Sequence, residues 1–73
     1  MPNACILIKT TTTAVEKILQ QVRKISQVRK AYIAYGRWDI VAFITAPMDE
    51  IGKVSASINS IEGVRTSETL PEA

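Results

Sequence analysis

The feature of this sequence that most constrains its fold is an internal near-repeat with a spacing of about 36 positions. Moving the first half of the chain along by that distance places one helical set of apolar residues on another: Val15 on Ile51, Ile18 on Val54, Val22 on Ile58 and Ile25 on Ile61. Val28-Arg29 then falls on Val64-Arg65. The repeat predicts two similar halves that meet at the tetrapeptide Gly36-Arg37-Trp38-Asp39.

Each half has the pattern strand, helix, strand. Short apolar and β-branched runs predict strands at 4–10, 28–35, 40–46 and 64–70. Apolar residues three or four positions apart predict a helix up to Ile25, with Thr13 and Glu16 as a capping box, and a second from Pro47 to a stop at Gly63. The order βαββαβ is that of a ferredoxin-like α+β sandwich, a four-stranded antiparallel sheet with two helices on one face. We expect one domain over 1–73, with strands 1 and 3 central.

The face of the sheet opposite the helices is also apolar and must pack against another surface. The third predicted strand is apolar on both sides, with Ile40, Ala42, Ile44 and Ala46 on one and Val41 and Phe43 on the other. Such strands are buried on both faces, whereas two helices cover one face. A chain of 73 residues with one cysteine and no histidine also lacks a disulfide or a common zinc site to stabilise a small core. We therefore predict a homodimer that packs sheet against sheet.

Composition limits the other classes of protein. Nine Lys and Arg against seven Asp and Glu give a net charge of +2, too balanced to indicate a nucleic-acid or membrane partner. No apolar run reaches the roughly 18 to 20 residues of a membrane span, and the N-terminus lacks a signal-peptide pattern. A cytoplasmic location is expected. A Ser-His or Cys-His pair is impossible without histidine, and Cys5 in an apolar strand is expected in the core, so we expect neither an enzyme nor a cofactor.

The tetrapeptide with Gly36 and Asp39 has two interpretations. It is a hairpin turn in which glycine supplies a positive φ and aspartate caps the loop. Alternatively, it is a binding site in which backbone N–H groups near Gly36 take a carboxylate and Asp39 takes a primary ammonium, as a free amino acid would require. Trp38 fits either as a packing anchor or as part of an interface.

Two further groups are polar. Ser67-Glu68-Thr69 lies in the last predicted strand, either as a solvated edge or with both hydroxyls lining a site. Four basic residues, Arg23, Lys24, Arg29 and Lys30, cluster around the end of the first helix, and we expect them to form a solvated rim.

Several of these stretches resemble the effector-binding (RAM) domain of the Lrp/AsnC regulators over essentially the whole chain. Val28-x-x-Ala31-Tyr32 leads into Tyr35-Gly36-x-Trp38-Asp39-Ile40-Val41, where that family has a Gly-x-aromatic-Asp hairpin. Gly63-Val64-Arg65-x-Ser67-x-Thr69 is similar to its final strand, although Ser67 stands where threonine is commoner.

The resemblance implies dimers that associate through their sheets, rings of dimers, and small effectors, usually amino acids, bound between dimers near the hairpin. The implied ligand-binding residues are Tyr35, Gly36, Trp38, Asp39, Ser67 and Thr69, with Asp39 taking the ammonium and N–H groups near Gly36 the carboxylate. The family's helix-turn-helix has no counterpart in these 73 residues. The chain thus resembles the stand-alone RAM modules, for which direct DNA binding is not expected and full-length Lrp/AsnC regulators are candidate partners.

Three other functions remain as alternatives. A purely structural oligomer predicts the same fold and assembly. An RRM-like nucleic-acid binder shares the strand order, but strand 3 supplies Phe43 alone and strand 1 has no aromatic residue. An enzyme of the dimeric ferredoxin-like kind would need a substrate or cofactor between the sheets.

Overall fold

The strands and helices follow the predicted order. The structure is a computed structural model that describes residues 3–11 and 13–72. Its elements are β1 (Asn3–Thr10), α1 (Val15–Arg23), β2 (Val28–Ile33), β3 (Ile40–Thr45), α2 (Met48–Asn59) and β4 (Val64–Pro71). The strands form one antiparallel sheet in the order β2-β3-β1-β4. The ferredoxin-like fold is confirmed, with β1 and β3 in the centre.

The internal repeat extends to the backbone hydrogen bonds that end each helix. The bonds come in matched pairs: Ile25 N–H to Val22 O and Ile61 N–H to Ile58 O, both 3.1 Å, then Val28 N–H to Ile25 O at 3.0 Å and Val64 N–H to Ile61 O at 3.1 Å. Each helix therefore tightens into the same i to i+3 turn before the next strand begins. The middle of each apolar stripe is buried in the core, and the stripe ends Val15, Ile25 and Ile61 are partly buried against it.

The sheet has one covered face and one open face. Toward the helices it presents a row of aliphatic residues that are at most 4% exposed, namely Ala4, Ile6, Ile8, Ala31, Ile40, Ala42 and Ile44. The open sheet face carries the residues that alternate with these, Cys5, Leu7, Tyr32, Val41, Phe43 and Leu70. Tyr32, Phe43 and Leu70 are 40%, 41% and 47% exposed. The prediction that β3 is apolar on both sides is confirmed.

Local details differ from the sequence prediction at several places, among them the helix ends: α1 ends at Arg23 rather than Ile25, and α2 ends at Asn59, ahead of the predicted stop at Gly63. β2 ends at Ile33 rather than at Tyr35, because Ala34 N–H bonds to Asp39 O at 2.9 Å and closes a longer, six-residue connection. α1 has Ala14 at its N-cap, so the capping box of Thr13 and Glu16 does not form.

The expectation that Cys5 lies in the core is wrong, since its side chain is half-buried on the open sheet face. Burial raises the pKa of its thiol, which keeps it protonated at neutral pH.

A side chain of α1 contacts the backbone of the edge strand β2. Arg23, at the end of α1, donates from Nε and Nη2 to the carbonyl oxygen of Ala31 at 3.1 and 2.8 Å. All four residues of the basic cluster are exposed, as expected of a solvated rim, and Arg23 makes this backbone contact in addition. Within the described residues, neither helix is long and apolar enough to span a membrane.

Candidate ligand-binding site

The connection between β2 and β3, residues 34–39, is the candidate site, and we call it the hairpin tip. Gly36 has a φ of +135°, a backbone conformation that other residues rarely adopt. Tyr35 is 97% exposed, Arg37 is also exposed, and Trp38 is half-buried. The glycine thus turns the chain so that an aromatic and a cationic side chain project from the molecule.

Asp39 fixes the hairpin tip to the end of β1. Its Oδ2 accepts hydrogen bonds from Thr10 N–H at 2.8 Å and from Thr10 Oγ1 at 3.2 Å, and Lys9 Nζ lies 3.7 Å away. Its backbone N–H also donates to Ile8 O at 2.9 Å. Asp39 therefore caps a neighbouring strand rather than its own loop.

These contacts set the charge state of the carboxylate. The Thr10 backbone N–H, and to a lesser degree the Lys9 charge and the Thr10 hydroxyl, lower the pKa of Asp39 below its usual value, although partial desolvation opposes them. The carboxylate is ionised at neutral pH. Its second oxygen, Oδ1, makes no protein hydrogen bond within the described residues, so it can accept one from a ligand.

Ser67 and Thr69 do point the same way, but toward α2. Ser67 Oγ donates to Asn59 Oδ1 at 2.8 Å, and Thr69 Oγ1 lies 2.8 Å from Ser55 Oγ. β1 separates β4 from β3, which places the two strands about 10 Å apart. One chain therefore brings Tyr35, Gly36, Trp38 and Asp39 together, whereas the two hydroxyls lie apart from them.

Sequence reasoning missed the residues that hold this end of the molecule. Thr10 lies 29 positions before Asp39 in the sequence, and Lys9 precedes Thr10 directly. No local spacing in the sequence signals a contact over that distance. The one available hint is that Thr10 closes an apolar strand with a polar residue; it is 8% exposed.

Two clefts lie near these elements. The first, which we call the α1 cleft, has a volume of about 450 Å³ and is lined by Thr11, Ala14, Lys17, Ile18, Gln21, Glu62 and Gly63. Thr11 directly follows Thr10, the residue of β1 that bonds to Asp39, and its own N–H donates to Gly63 O at 2.9 Å. The α1 cleft therefore lies at the same end of the sheet as the hairpin tip. The second, of about 330 Å³, lies on the open sheet face around Cys5, Phe43 and Leu70. No group of His, Cys, Asp and Glu within residues 3–11 and 13–72 could hold a metal ion.

Comparison with known proteins gives a family and a set of similar structures. A family model described as the Lrp/AsnC ligand binding domain matches residues 3–71. No curated protein matches the chain in sequence. The crystal structure of TTHA0845 from Thermus thermophilus is similar with a TM-score of 0.93 and 29% identity, over 100% of this chain and 94% of that one.

Two more distant structures extend the comparison. FFRP-DM1 is similar with a TM-score of 0.90 and 19% identity over the whole of both chains. AsnC from E. coli has a TM-score of 0.88 and 20% identity, covering 97% of this chain and 50% of that one. This chain thus spans about half the length of E. coli AsnC, and at these identities the similarity shows the fold alone.

Proposed function

The chain belongs to the Lrp/AsnC ligand-binding domain family, and from this premise we propose that it senses a small molecule, an amino acid, and forms oligomers. Domains of this family bind small-molecule effectors and oligomerise. The observation that carries the proposal is the hairpin tip, where an ionised Asp39, whose Oδ1 accepts no hydrogen bond from the described part of the chain, follows the exposed Gly36 by three positions.

In this proposal each charged group of an amino acid has a counterpart. Asp39 Oδ1 accepts from the ammonium while Oδ2 keeps its bonds to Thr10. Backbone N–H groups around Gly36 donate to the carboxylate, and Tyr35 and Trp38 frame the side chain. Ser67 and Thr69 lie apart from the hairpin tip of their own chain, so they complete the proposed site only where a second copy supplies them, exchanging their bonds to Asn59 and Ser55 for bonds to the effector.

Assembly is the second part of the proposal. Dimers form through the open sheet face and associate into a ring, and mixed assembly with full-length Lrp/AsnC regulators would convey the signal to transcription. The chain acts in the cytoplasm, without catalysis and without contacting DNA itself.

One observation favours a second candidate, a purely structural oligomerisation module. Asp39, Ser67 and Thr69 all have hydrogen-bond partners within the fold. A domain that only assembles would use these residues in the same way, so binding of a ligand is what distinguishes the two functions.

A thermal-shift screen of the twenty amino acids tests the proposal. A ligand at 100 times its dissociation constant adds about 2.7 kcal/mol, which for a domain of this size raises Tm by several degrees. Asp39→Asn keeps an acceptor for Thr10 N–H but removes the charge that attracts an ammonium, so the shift should shrink strongly.

Glu16→Gln is the matched control, because Glu16 is an exposed carboxylate on α1 outside the proposed site. It should retain the full shift, each variant being compared with its own ligand-free Tm. If no amino acid shifts the wild-type protein, the sensing function is wrong and the structural module is favoured.

A further inference from the structure

A third cleft lies at the edge of the sheet that β2 forms, and we call it the β2 cleft. It has a volume of about 220 Å³ and is lined by Arg23, Val28, Arg29, Lys30 and Ala31. Three of these five residues are cations, and none is a carboxylate. The proposed function uses none of them, because the hairpin tip lies beyond the other end of β2.

The charges in this part of the chain are not balanced. Positions 17–38 hold six of the nine Lys and Arg residues and no Asp or Glu. Within residues 3–11 and 13–72, Arg23, Arg29 and Lys30 form no ion pair. The carboxylate of Glu50 lies near the start of β2, but it accepts from Gln27 Nε2 at 3.4 Å and does not line the cleft. Cations gathered without a counter-charge repel one another, so an anion between them would be stabilised.

Arg23 is already held in a position that suits an anion site. Its Nε and Nη2 donate to Ala31 O at 3.1 and 2.8 Å, which fixes the plane of the guanidinium. Its Nη1 makes no hydrogen bond to the part of the chain that the structure describes. An ordered guanidinium loses little side-chain entropy on binding, and the N–H groups of Nη1 can donate to an oxyanion.

Arg29 is brought to the cleft by an irregularity of β2. In the pairing with β3, Val28 lies opposite Ile44 and Lys30 lies opposite Phe43, the preceding residue of β3. Two residues of β2 thus stand against one, and Arg29 is the extra residue of a β-bulge. A regular strand would direct Arg29 and Lys30 to opposite faces. Because the bulge changes that alternation, both residues line the same cleft.

We propose that the β2 cleft binds the phosphate group of a small phosphorylated molecule. At about 220 Å³ the cleft is smaller than the roughly 300 to 1,000 Å³ of sites that enclose a whole ligand, so it takes a charged group while the rest of the molecule lies outside. A phosphate group has about two negative charges and three acceptor oxygens at neutral pH, which match Arg23 Nη1, Arg29 and Lys30. A carboxylate has one charge and would leave this cluster unbalanced.

Lys30 would change its contact on binding. Its Nζ lies 5.7 Å from the centroid of the Tyr32 ring. The flexible four-carbon stem of lysine allows the ammonium to turn from the ring to the phosphate.

The extent of the cluster favours a small molecule over a nucleic acid. A protein that binds nucleic acid neutralises several successive phosphates along the strand. Here the cations converge on one small cleft, and the net charge of the chain is only +2. The β2 cleft therefore has room and charge for one phosphate group.

Isothermal titration calorimetry with adenosine monophosphate (AMP) and inorganic phosphate, at neutral pH and constant ionic strength, tests the site. AMP should bind, and inorganic phosphate should compete with it. Arg29→Gln and Lys30→Gln should each raise the dissociation constant of AMP by about tenfold or more, the effect expected for loss of a charge-assisted hydrogen bond.

Lys24→Gln is the matched control. It removes the same charge from an exposed residue at the end of α1 that does not line the cleft, so AMP should bind nearly as it does to the wild type. The three substituted side chains are exposed, and circular dichroism checks that each variant folds. Arg29 also lines the cleft on the open sheet face, so sedimentation velocity checks that its variant keeps the wild-type oligomeric state.

Several results would overturn the proposal. If AMP does not bind, or if inorganic phosphate binds and AMP does not, the site is not one for a phosphorylated molecule. Succinate that binds as tightly as AMP would show that the cleft does not select phosphate. An equal loss of affinity in Lys24→Gln and Arg29→Gln would show general attraction by charge, and single-stranded RNA that binds more tightly than AMP at the same salt concentration would identify a nucleic-acid surface. None of these results bears on the amino-acid screen, because Asp39 lies outside the β2 cleft.

Discussion

At the scale of single residues, Asp39 contributes most to both the fold and the proposed site. Its Oδ2 accepts from Thr10 N–H and Thr10 Oγ1, and the Lys9 ammonium lies nearby. These contacts stabilise the ionised form and lower the pKa of Asp39 in the folded state. The unfolded chain has no such contacts, and its aspartate titrates near the ordinary value of about 3.9. The resulting stabilisation is present above that pH and is lost as the pH falls through the lower, folded-state pKa.

Asp39→Asn should therefore be less stable than the wild type at pH 7 and approach it in acid. A charge-assisted hydrogen bond becomes a neutral one, so we expect a loss of about 1 kcal/mol at pH 7. The free energy of unfolding in urea, measured from pH 7 to pH 2.5 at fixed protein concentration, checks this. Glu16→Gln serves again as the control. A difference between wild type and Asp39→Asn that is the same at both ends of the pH range would contradict the assignment.

At the scale of elements, the sequence predicts what repeats and misses what is specific to one place. The stripes of Val15 to Ile25 and Ile51 to Ile61 define two helices, and their 36-residue spacing implies the equivalent turns that the backbone shows. The alternation in β3 predicts the two apolar faces. These features are periodic, so a single chain contains enough information to predict them.

The remaining features depend on contacts between distant segments. Asp39 is predicted as part of a turn, but its acceptor role toward Thr10 arises only when β1 pairs with β3. Alternation along a strand places the hydroxyls of Ser67 and Thr69 on the same side of β4. Only the folded chain shows that this side faces α2, where the two hydroxyls bond to Asn59 and Ser55. Arg23 is indistinguishable in sequence from its basic neighbours, since its bond to Ala31 depends on where α1 ends beside β2.

Arg23 leads to a prediction about the edge of the sheet. Its guanidinium satisfies the Ala31 carbonyl and occupies the edge of β2, where another strand could otherwise pair. Arg23→Ala should lower the free energy of unfolding by about 1 kcal/mol and increase light scattering on storage. Lys24→Ala, which removes the adjacent exposed cation, should do neither. If Arg23→Ala and Lys24→Ala have the same free energy of unfolding and the same light scattering, the hydrogen bond of Arg23 contributes neither to stability nor to protection of the edge.

At the scale of the whole molecule, the distribution of apolar surface indicates which face a partner would cover. α1 and α2 cover one side of the sheet, while Leu7, Val41, Phe43 and Leu70 remain on the other. A domain of 73 residues buries a smaller fraction of its surface than a larger domain does, so it gains substantially from covering such a face. Tyr32 and Phe43 also contact each other there, with ring centroids 6.3 Å apart and Lys30 Nζ 5.7 Å from the Tyr32 ring.

Two alternative partners fit the open sheet face, a second copy of this chain and single-stranded RNA. A second copy would bury the aliphatic and aromatic residues together. Single-stranded RNA would stack on Tyr32 and Phe43 beside Lys30, as on an RRM, but would leave Leu7 and Leu70 without a matching surface. The aliphatic share of the face favours the second copy.

Phe43→Glu distinguishes these occupants, because it places a charge at the centre of the face. If a second copy covers the face, the variant should lose the sheet-to-sheet dimer and sediment as a smaller species than the wild type, with a lower Tm at the same protein concentration. Met48→Glu is the matched control, since Met48 is 60% exposed at the start of α2 and its replacement should leave the dimer intact. An unchanged oligomeric state in Phe43→Glu, together with loss of salt-sensitive binding to a single-stranded RNA column, would instead identify the face as a stacking platform.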